Sequence, residues 1–364
     1  LACRFPSELQ RSADGVGGKW SLRYRESSYE ILFHLTISNR FVHEFLNRQE
    51  EGVELHCEGH ISSEFYNFAN SESVKNGSTN LQMLFENADL KPKLTFIGGG
   101  KMATALISGF ESAGLITKDD VAVSVRRESS AQRWKQLGYE NVYTSSDILI
   151  RDHGQGIVFL SVKPEMRTAV LNELSNNAFI NTPLIISVMG GVDVKTLERE
   201  VAAKGYILER GLVRLMPNLP VTVCSGASVM CYSSYLQQEK IDLIQCMMHH
   251  VGICSVISEK SFDAATAIAG CGPAFIFMAI EALSDGGVLG GIDRTTSIKL
   301  AAQTVMGAAK MVLEGTKHPA TLKDDVCSAG GSTIYGVKEL EKNGFRSALI
   351  EAVHASTKRS SGHI

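Results

Sequence analysis

The sequence predicts an α/β fold: a doubly wound parallel sheet followed by an all-helical domain, preceded by an N-terminal extension of little predicted order. Three observations lead there. Short apolar runs alternate with helix-like segments between residues 93 and 257, the pattern of strands buried on both faces and joined by crossover helices. A run of three glycines separates the first apolar run from the first helix. Beyond Phe262 the strand signal ends and only helical spacing remains. The expected divisions are 1–91 for the extension, 92–257 for the sheet domain and 258–364 for the helical domain.

In order, the predicted strands are Leu94–Ile97, Val121–Val125, Ile157–Val162, Leu184–Val188, Leu212–Met216, Ala227–Cys231 and Ile253–Ile257. Helical spacing falls on Ser130–Leu137, Met166–Leu174 and Val194–Lys204, then on Pro273–Leu283, Thr295–Leu313, Ile334–Glu341 and Phe345–Ser356. Ala301, Ala302, Gly307, Ala308 and Ala309 give one of these helices a small-residue surface that lets neighbours approach closely. In the extension, Tyr29–Leu35 and Leu81–Phe85 read as short elements with nothing linking them into a core. The extension is neither rich in Arg nor poor in acid, unlike a transit peptide. A chain that begins at Leu1 is expected of a fragment or of an uncertain boundary.

Composition excludes several classes. With 364 residues, 44% apolar and 21% charged, and 33 Gly against 8 Pro, the chain is not collagen-like, mucin-like or wholly disordered. Residues 1–90 carry 8 Lys/Arg and 13 Asp/Glu, and the remainder 28 and 26. Neither part has the basic excess of a nucleic-acid binder. Apolar stretches such as Pro273–Ile280 fall short of the ~18–20 residues of a spanning helix, so no membrane segment is expected. Eight cysteines at irregular spacing, with no C-x-x-C pair, point to reduced thiols inside a cell, in the cytoplasm or the mitochondrion. His56, Cys57 and His60 lack further ligands at suitable spacing, and no metal site is expected.

The motif Gly98-x-Gly100-x-x-Ala103 follows a strand and opens a helix, the context of a dinucleotide-binding (Rossmann-type) turn. Gly98 permits the tight turn, Gly100 lets a diphosphate approach the backbone, and Ala103 allows close packing of helix on strand. Free N–H groups at the helix start attract the phosphates. At the tip of the second strand, Ser124, Arg126 and Arg127 stand where an NAD site carries an acid. Guanidinium and hydroxyl groups suit a 2′-phosphate, which favours NADP(H) with NAD(H) as the accepted alternative. The bland reading is a solvated charged loop. Asp119 and Asp120 precede that strand and sit at its wrong end. Ser161-Val162-Lys163-Pro164 and Val188-Met189-Gly190 occupy other strand ends, where the ligand crevice of such a sheet lies.

Two glycine-containing loops mark the helical domain. Ala269-Gly270-Cys271-Gly272-Pro273 precedes a helix whose first turn accepts proline. Cys327-Ser328-Ala329-Gly330-Gly331-Ser332-Thr333 offers hydroxyls and flexible backbone before another helix, a nest for a carboxylate. The alternative is plain N-capping by Ser332 or Thr333. Cys271 reads as a small packing residue.

Taken together, Phe96–Ala103, Ser161–Pro164, Gly270–Phe275 and Leu322–Ile334 resemble the pyrroline-5-carboxylate reductases over residues 93–359. The resemblance implies reduction of 1-pyrroline-5-carboxylate to L-proline by NAD(P)H, a homodimer built through the helical domains or a homodecamer of such dimers, and a small-molecule substrate. It carries cofactor contacts to Ile97, Gly98, Gly99, Gly100, Lys101, Met102, Ser124, Ser161–Pro164 and Val188–Gly190. Substrate contacts fall on Glu259, Asp325, Gly331, Ser332 and Thr333, with Thr333 the catalytic candidate. Four positions depart from the pattern: Ala329 stands where relatives often carry proline, Asp325 replaces an amide with a carboxylate that would repel an anionic substrate, Asp147 stands where some members carry Asn near the adenosine, and Phe275 replaces a frequent Tyr. Rival readings are a β-hydroxy-acid dehydrogenase, which needs a lysine such as Lys299 or Lys310 as acid–base group, and a nucleotide-binding regulator without catalysis.

Overall fold

The computed structural model describes residues 9–11, 19–26, 29–36 and 77–362. The first of two compact units holds an antiparallel sheet of β1 (Leu9–Arg11), β2 (Lys19–Glu26) and β3 (Tyr29–Thr36). The register of β2 and β3 pairs Trp20 with Leu35, Leu22 with Phe33 and Tyr24 with Ile31. The period-2 alternations of the two segments are therefore in phase. Tyr29–Leu35 is thus not an isolated element: it pairs along its length with the alternating segment Lys19–Glu26. His56, Cys57 and His60 lie outside the described residues.

The second unit opens with α1 (Gly77–Asn87), ahead of the expected boundary at residue 92. Leu81, Leu84, Phe85, Ala88 and Leu90 are buried in the main core, so that boundary is corrected upstream. The helix stops where Asp89 adopts φ 52° and the Leu90 N–H donates to the Phe85 carbonyl, a Schellman-type ending. Each large side chain buried there contributes roughly 1.5–3 kcal/mol.

Eight strands form the sheet: β4 (Leu94–Ile97), β5 (Val121–Ser124), β6 (Val142–Tyr143), β7 (Ile157–Leu160), β8 (Leu184–Ser187), β9 (Leu212–Met216), β10 (Gly226–Tyr232) and β11 (Gly252–Val256). Their order is β11-β10-β9-β8-β7-β4-β5-β6. The strands from β9 to β6 are parallel throughout, as expected. In β10 the direction reverses, antiparallel to β9, and β11 runs parallel to β10. The sheet is thus parallel-dominated, with the reversal confined to one edge. The two-residue β6 is too short to register as an apolar run.

Alternate strand residues feed two cores. Phe96, Val123, Phe159 and Ile186 face one side with α2 (Lys101–Ser112), α3 (Glu128–Gln136) and α7 (Gln238–His249). Ile97, Ala122, Leu160 and Ile185 face the other with α4 (Ser146–His153), α5 (Arg167–Glu173) and α6 (Val194–Ala202). Burial on both faces explains the unbroken apolar runs. α1 packs on α7, which is why the apolar side of α7 is broader than one stripe.

The remaining elements are helical: α8 (Glu259–Leu289), α9 (Arg294–Glu314), α10 (Pro319–Val326), α11 (Ser332–Lys342) and α12 (Phe345–Ser360). One expectation fails here. Residues 269–273 are no loop, because they lie inside α8 across a π turn, Ala267–Cys271. Pro273 has no N–H for the Ala269 carbonyl and its ring crowds the preceding turn, so the helix widens rather than breaks. The orphaned Ala269 oxygen accepts instead from Asn218 Nδ2 at 2.9 Å. By length and composition α8 could also cross a bilayer, a property its interrupted apolar pattern concealed. The nest's flank, Leu322–Val326, is helical as part of α10.

Candidate active site

The carboxyl ends of the parallel strands converge on one crevice, and most of the predicted nucleotide-binding residues stand there. Gly98, at φ 102°, makes the turn after β4; its N–H and that of Gly99 both donate to the Ser124 carbonyl, at 3.1 and 2.9 Å. The Ser161 hydroxyl lies 2.7 Å from the Gly98 carbonyl and 3.1 Å from that of Ile97. A Cβ at Gly98 would strike Ser161 and Val162, whereas one at Gly100 would enter open space. Gly100 caps α2 with no side-chain hydrogen bond, so the N–H groups of the first turn remain available to an anion. Lys101 is exposed in that turn and Met102 is half-buried. This cradle fits a dinucleotide diphosphate.

Ser124 differs from its expected role. Its side chain is buried and meets the Ser146 hydroxyl at 2.9 Å, so it supports the loop through its carbonyl and does not reach the crevice. Arg126 and Arg127 are exposed beyond β5, and among the described residues neither pairs with a carboxylate. Two uncompensated guanidinium groups suit a 2′-phosphate. Asp120 is held at the opposite strand end by Lys93, at 3.0 Å, and by Thr117. Lys163 and Pro164 are exposed at the end of β7. After β8, Val188 and Met189 are buried, leaving backbone and Gly190 to line the crevice. Met216 approaches both Gly190 and Gly270, within 3.7 Å of a Cβ built on either. The π turn of α8 therefore borders the same crevice.

Glu259 is not brought to that edge. It begins α8 beside β9, about 15 Å down the helix from Ala269 at a rise of ~1.5 Å per residue. Its carboxylate accepts from Arg214 and, at 3.1 Å, from the Cys231 thiol. Arg214 is buried, lies 3.9 Å over the Phe262 ring and also binds Asp263 at 3.0 Å. Burial, reinforced by Glu259, pushes the Cys231 thiol well up, so it stays protonated and donates. Glu259 also borders a cavity of about 840 Å³ with Asp193, Lys195, Glu198 and Ser258. Burial opposes ionisation of Asp193, but the Thr196 N–H and hydroxyl and the Arg214 charge outweigh it and hold its pKa below the usual carboxylate value.

In the helical region, Gly331 caps α11 without a side-chain bond, and neither Ser332 nor Thr333 acts as the cap. Their hydroxyls and the first-turn N–H groups are free to meet an anion. Asp325 turns to Lys317, 2.7 Å away, which offsets its charge. No hydrogen bond or ion pair among the described residues joins 327–333 to the nucleotide loops. Arg214, Asn218 and Trp134 were missed as supporting residues. Only Asn218 had a signal, the Pro217-Asn218-Leu219-Pro220 loop at a strand end.

Comparison with known proteins gives the same outline. The family profile described as pyrroline-5-carboxylate reductase dimerisation matches residues 259–363, and that of NADP oxidoreductase coenzyme F420-dependent matches 93–191. The pyrroline-5-carboxylate reductase of Pisum sativum is 39% identical, over 73% of this chain and 94% of its own length. That of Arabidopsis thaliana is 38% identical over 74% and 94%. The crystal structure of Plasmodium falciparum pyrroline carboxylate reductase with NADP bound aligns with a TM-score of 0.66 at 32% identity, covering 74% of this chain and 97% of that one. With a parallel-dominated sheet followed by a helical region, a glycine turn that fits a diphosphate and relatives of this similarity, the chain belongs to the pyrroline-5-carboxylate reductase family.

Proposed function

We propose that the chain reduces 1-pyrroline-5-carboxylate to L-proline, with NADPH supplying the hydride when bound. The observation that carries this reading is the uncapped α2 N-terminus behind a glycine loop, flanked by the unpaired Arg126 and Arg127. In this reading the 98–102 backbone holds the diphosphate and the two arginines hold the 2′-phosphate. The backbone of 161–164 and 188–190 flanks the remainder of the dinucleotide. Thr333 and the N–H groups at the start of α11 bind the substrate carboxylate, with Ser332 and Gly331 completing the nest. A protonated cyclic imine is already electrophilic, so positioning and exclusion of water supply most of what the protein must contribute.

The same reading assigns the apolar surface of α8 to a second copy of the chain, in a homodimer or a homodecamer of such dimers. Within one chain Phe277, Met278, Leu289 and Leu313 stand exposed on α8 and α9, and residues 259–363 match the dimerisation profile. A partner subunit also offers the route by which the 327–333 nest meets a nucleotide crevice. Six free cysteines among the described residues fit a reducing compartment, the cytoplasm or the mitochondrion.

The test follows NADPH consumption and proline formation together after addition of pyrroline-5-carboxylate. Equal rates support the proposal. NADPH binding without turnover, or turnover of a β-hydroxy acid instead, overturns it.

A further inference from the structure

We propose that Trp134 is a positioning residue for the diphosphate-binding loop, fixing through the Gly99 carbonyl the direction in which the Gly100 N–H points. Trp134 lies on α3, buried, and its indole Nε1 donates to the Gly99 carbonyl at 3.2 Å. Gly99 and Gly100 share one planar trans peptide, whose C=O and N–H point in opposite directions. Drawing the oxygen toward the indole therefore turns the Gly100 N–H away from the core. That N–H has no protein acceptor among the described residues, and a Cβ on Gly100 would meet nothing. A donor aimed at open space beside an uncapped helix is placed for an anion.

The indole and the middle glycine are also complementary in shape. A Cβ on Gly99 would fall 2.5 Å from Trp134 Nε1 and 2.6 Å from a Val125 methyl. The ring thus takes the space a side chain at 99 would need. Trp134 is steadied in turn by Tyr139, edge to face at 4.9 Å, whose hydroxyl donates to Glu111 at 2.8 Å. Glu111 belongs to α2, the helix that the loop opens. Burial and Glu111 push the Tyr139 phenol up, so this donor stays protonated. Loop, indole, phenol and helix form a closed circuit, in which Trp134 and Tyr139 act on the cradle only through the loop backbone and α2.

The inference rests on the loop being the cofactor cradle, and the experiment separates the two. Calorimetric titration of the full chain compares NADPH, NADH and adenosine 2′-monophosphate, which has no diphosphate. Trp134→Phe keeps most of the ring and loses the donor. It should weaken NADPH and NADH by the same factor, about five-fold, and leave the monophosphate unchanged. kcat at saturating cofactor should hold while KM for both dinucleotides rises. Phe110→Leu, in the same core but remote from the loop, should lower Tm without changing any of the three affinities. As a measurement that needs no weakened fold, 5-fluorotryptophan at position 134 in a Trp20→Phe background should shift its ¹⁹F resonance with NADPH and not with the monophosphate. Equal weakening of all three ligands, unchanged NADPH affinity, or an unmoved resonance overturns the inference. If the wild-type chain binds no NADPH, the reading of the cradle falls and the inference falls with it.

Discussion

Residues 77–256 and residues 259–362 treat apolar surface in opposite ways. The nucleotide-binding region hides its large side chains inside one chain, with Phe85, Phe96, Phe110, Phe159 and Phe179 all fully buried. In the helical region, α10, α11 and α12 have no buried residue, while Leu289 is 91% exposed and Leu313 73%. Helical spacing was readable in both, yet only the first region forms a core of its own. A helix pattern in sequence says that a face must be covered and not by which chain.

The largest effect that would break this contrast lies in the helical region. Phe277→Glu combined with Leu313→Glu should leave the chain monomeric by light scattering and without reductase activity, since unpaired charge in an apolar interface is strongly disfavoured. Tyr235→Glu, equally exposed but on the nucleotide-binding region, should leave mass and turnover unchanged. An intact oligomer in the double variant would show that these side chains face solvent.

Next comes the self-contained core. Phe85→Ala should cost about 3–5 kcal/mol in denaturant unfolding, and its midpoint should fall equally at every protein concentration. Removal of residues 77–91 should cost at least as much. A fully stable truncated protein would mean that α1 is dispensable, as the expected boundary at residue 92 implied.

The two halves of the proposed site sharpen the contrast further. Thr333→Ala should lower kcat/KM for pyrroline-5-carboxylate roughly ten- to a hundred-fold, the loss of one charge-assisted hydrogen bond. NADPH affinity should not change, and Thr333→Ser should recover most of the activity. Full efficiency in the alanine variant would move the carboxylate site elsewhere. The smallest effect is on cofactor choice. Arg126→Ala with Arg127→Ala should raise KM for NADPH about ten-fold and for NADH much less. Equal rises for both would remove the 2′-phosphate assignment.

The sheet and the phosphate turn were legible because their determinants are local. Leu94–Ile97 is apolar at three of its four positions, and Gly98 with Gly100 follows within three residues. What stayed hidden depends on partners distant in the chain. Nothing near Trp134 announces Gly99, 35 positions away. Glycine and proline usually end helices, so the π turn has the sequence of a loop, and the group that rescues the orphaned carbonyl comes from Asn218, 51 residues upstream of Ala269. The reversal of β10 was hidden for a similar reason, since a fully buried strand looks the same in either direction. Ser124 was assigned to the cofactor by position at a strand end, but the side chain facing Ser146 could be located only once the strands were paired.

That reversal of β10 governs where the longest helix can go. Because β10 and β11 run backward, α8 starts low beside Arg214, climbs past the sheet's carboxyl edge at Asn218 and continues outward through Leu289. Its 18 residues from Gly272 to Leu289 project about 27 Å beyond that edge at ~1.5 Å per residue. Mechanically it is a lever with a short arm embedded against the sheet and a long arm braced on α9, and the π turn sits at the fulcrum. A rotation of roughly ten degrees at the fulcrum would sweep the tip through about 5 Å, nearly one helical pitch. The Arg214 anchor on the short arm and the Asn218 anchor at the fulcrum therefore set, with amplification, where the outer end of this helix arrives.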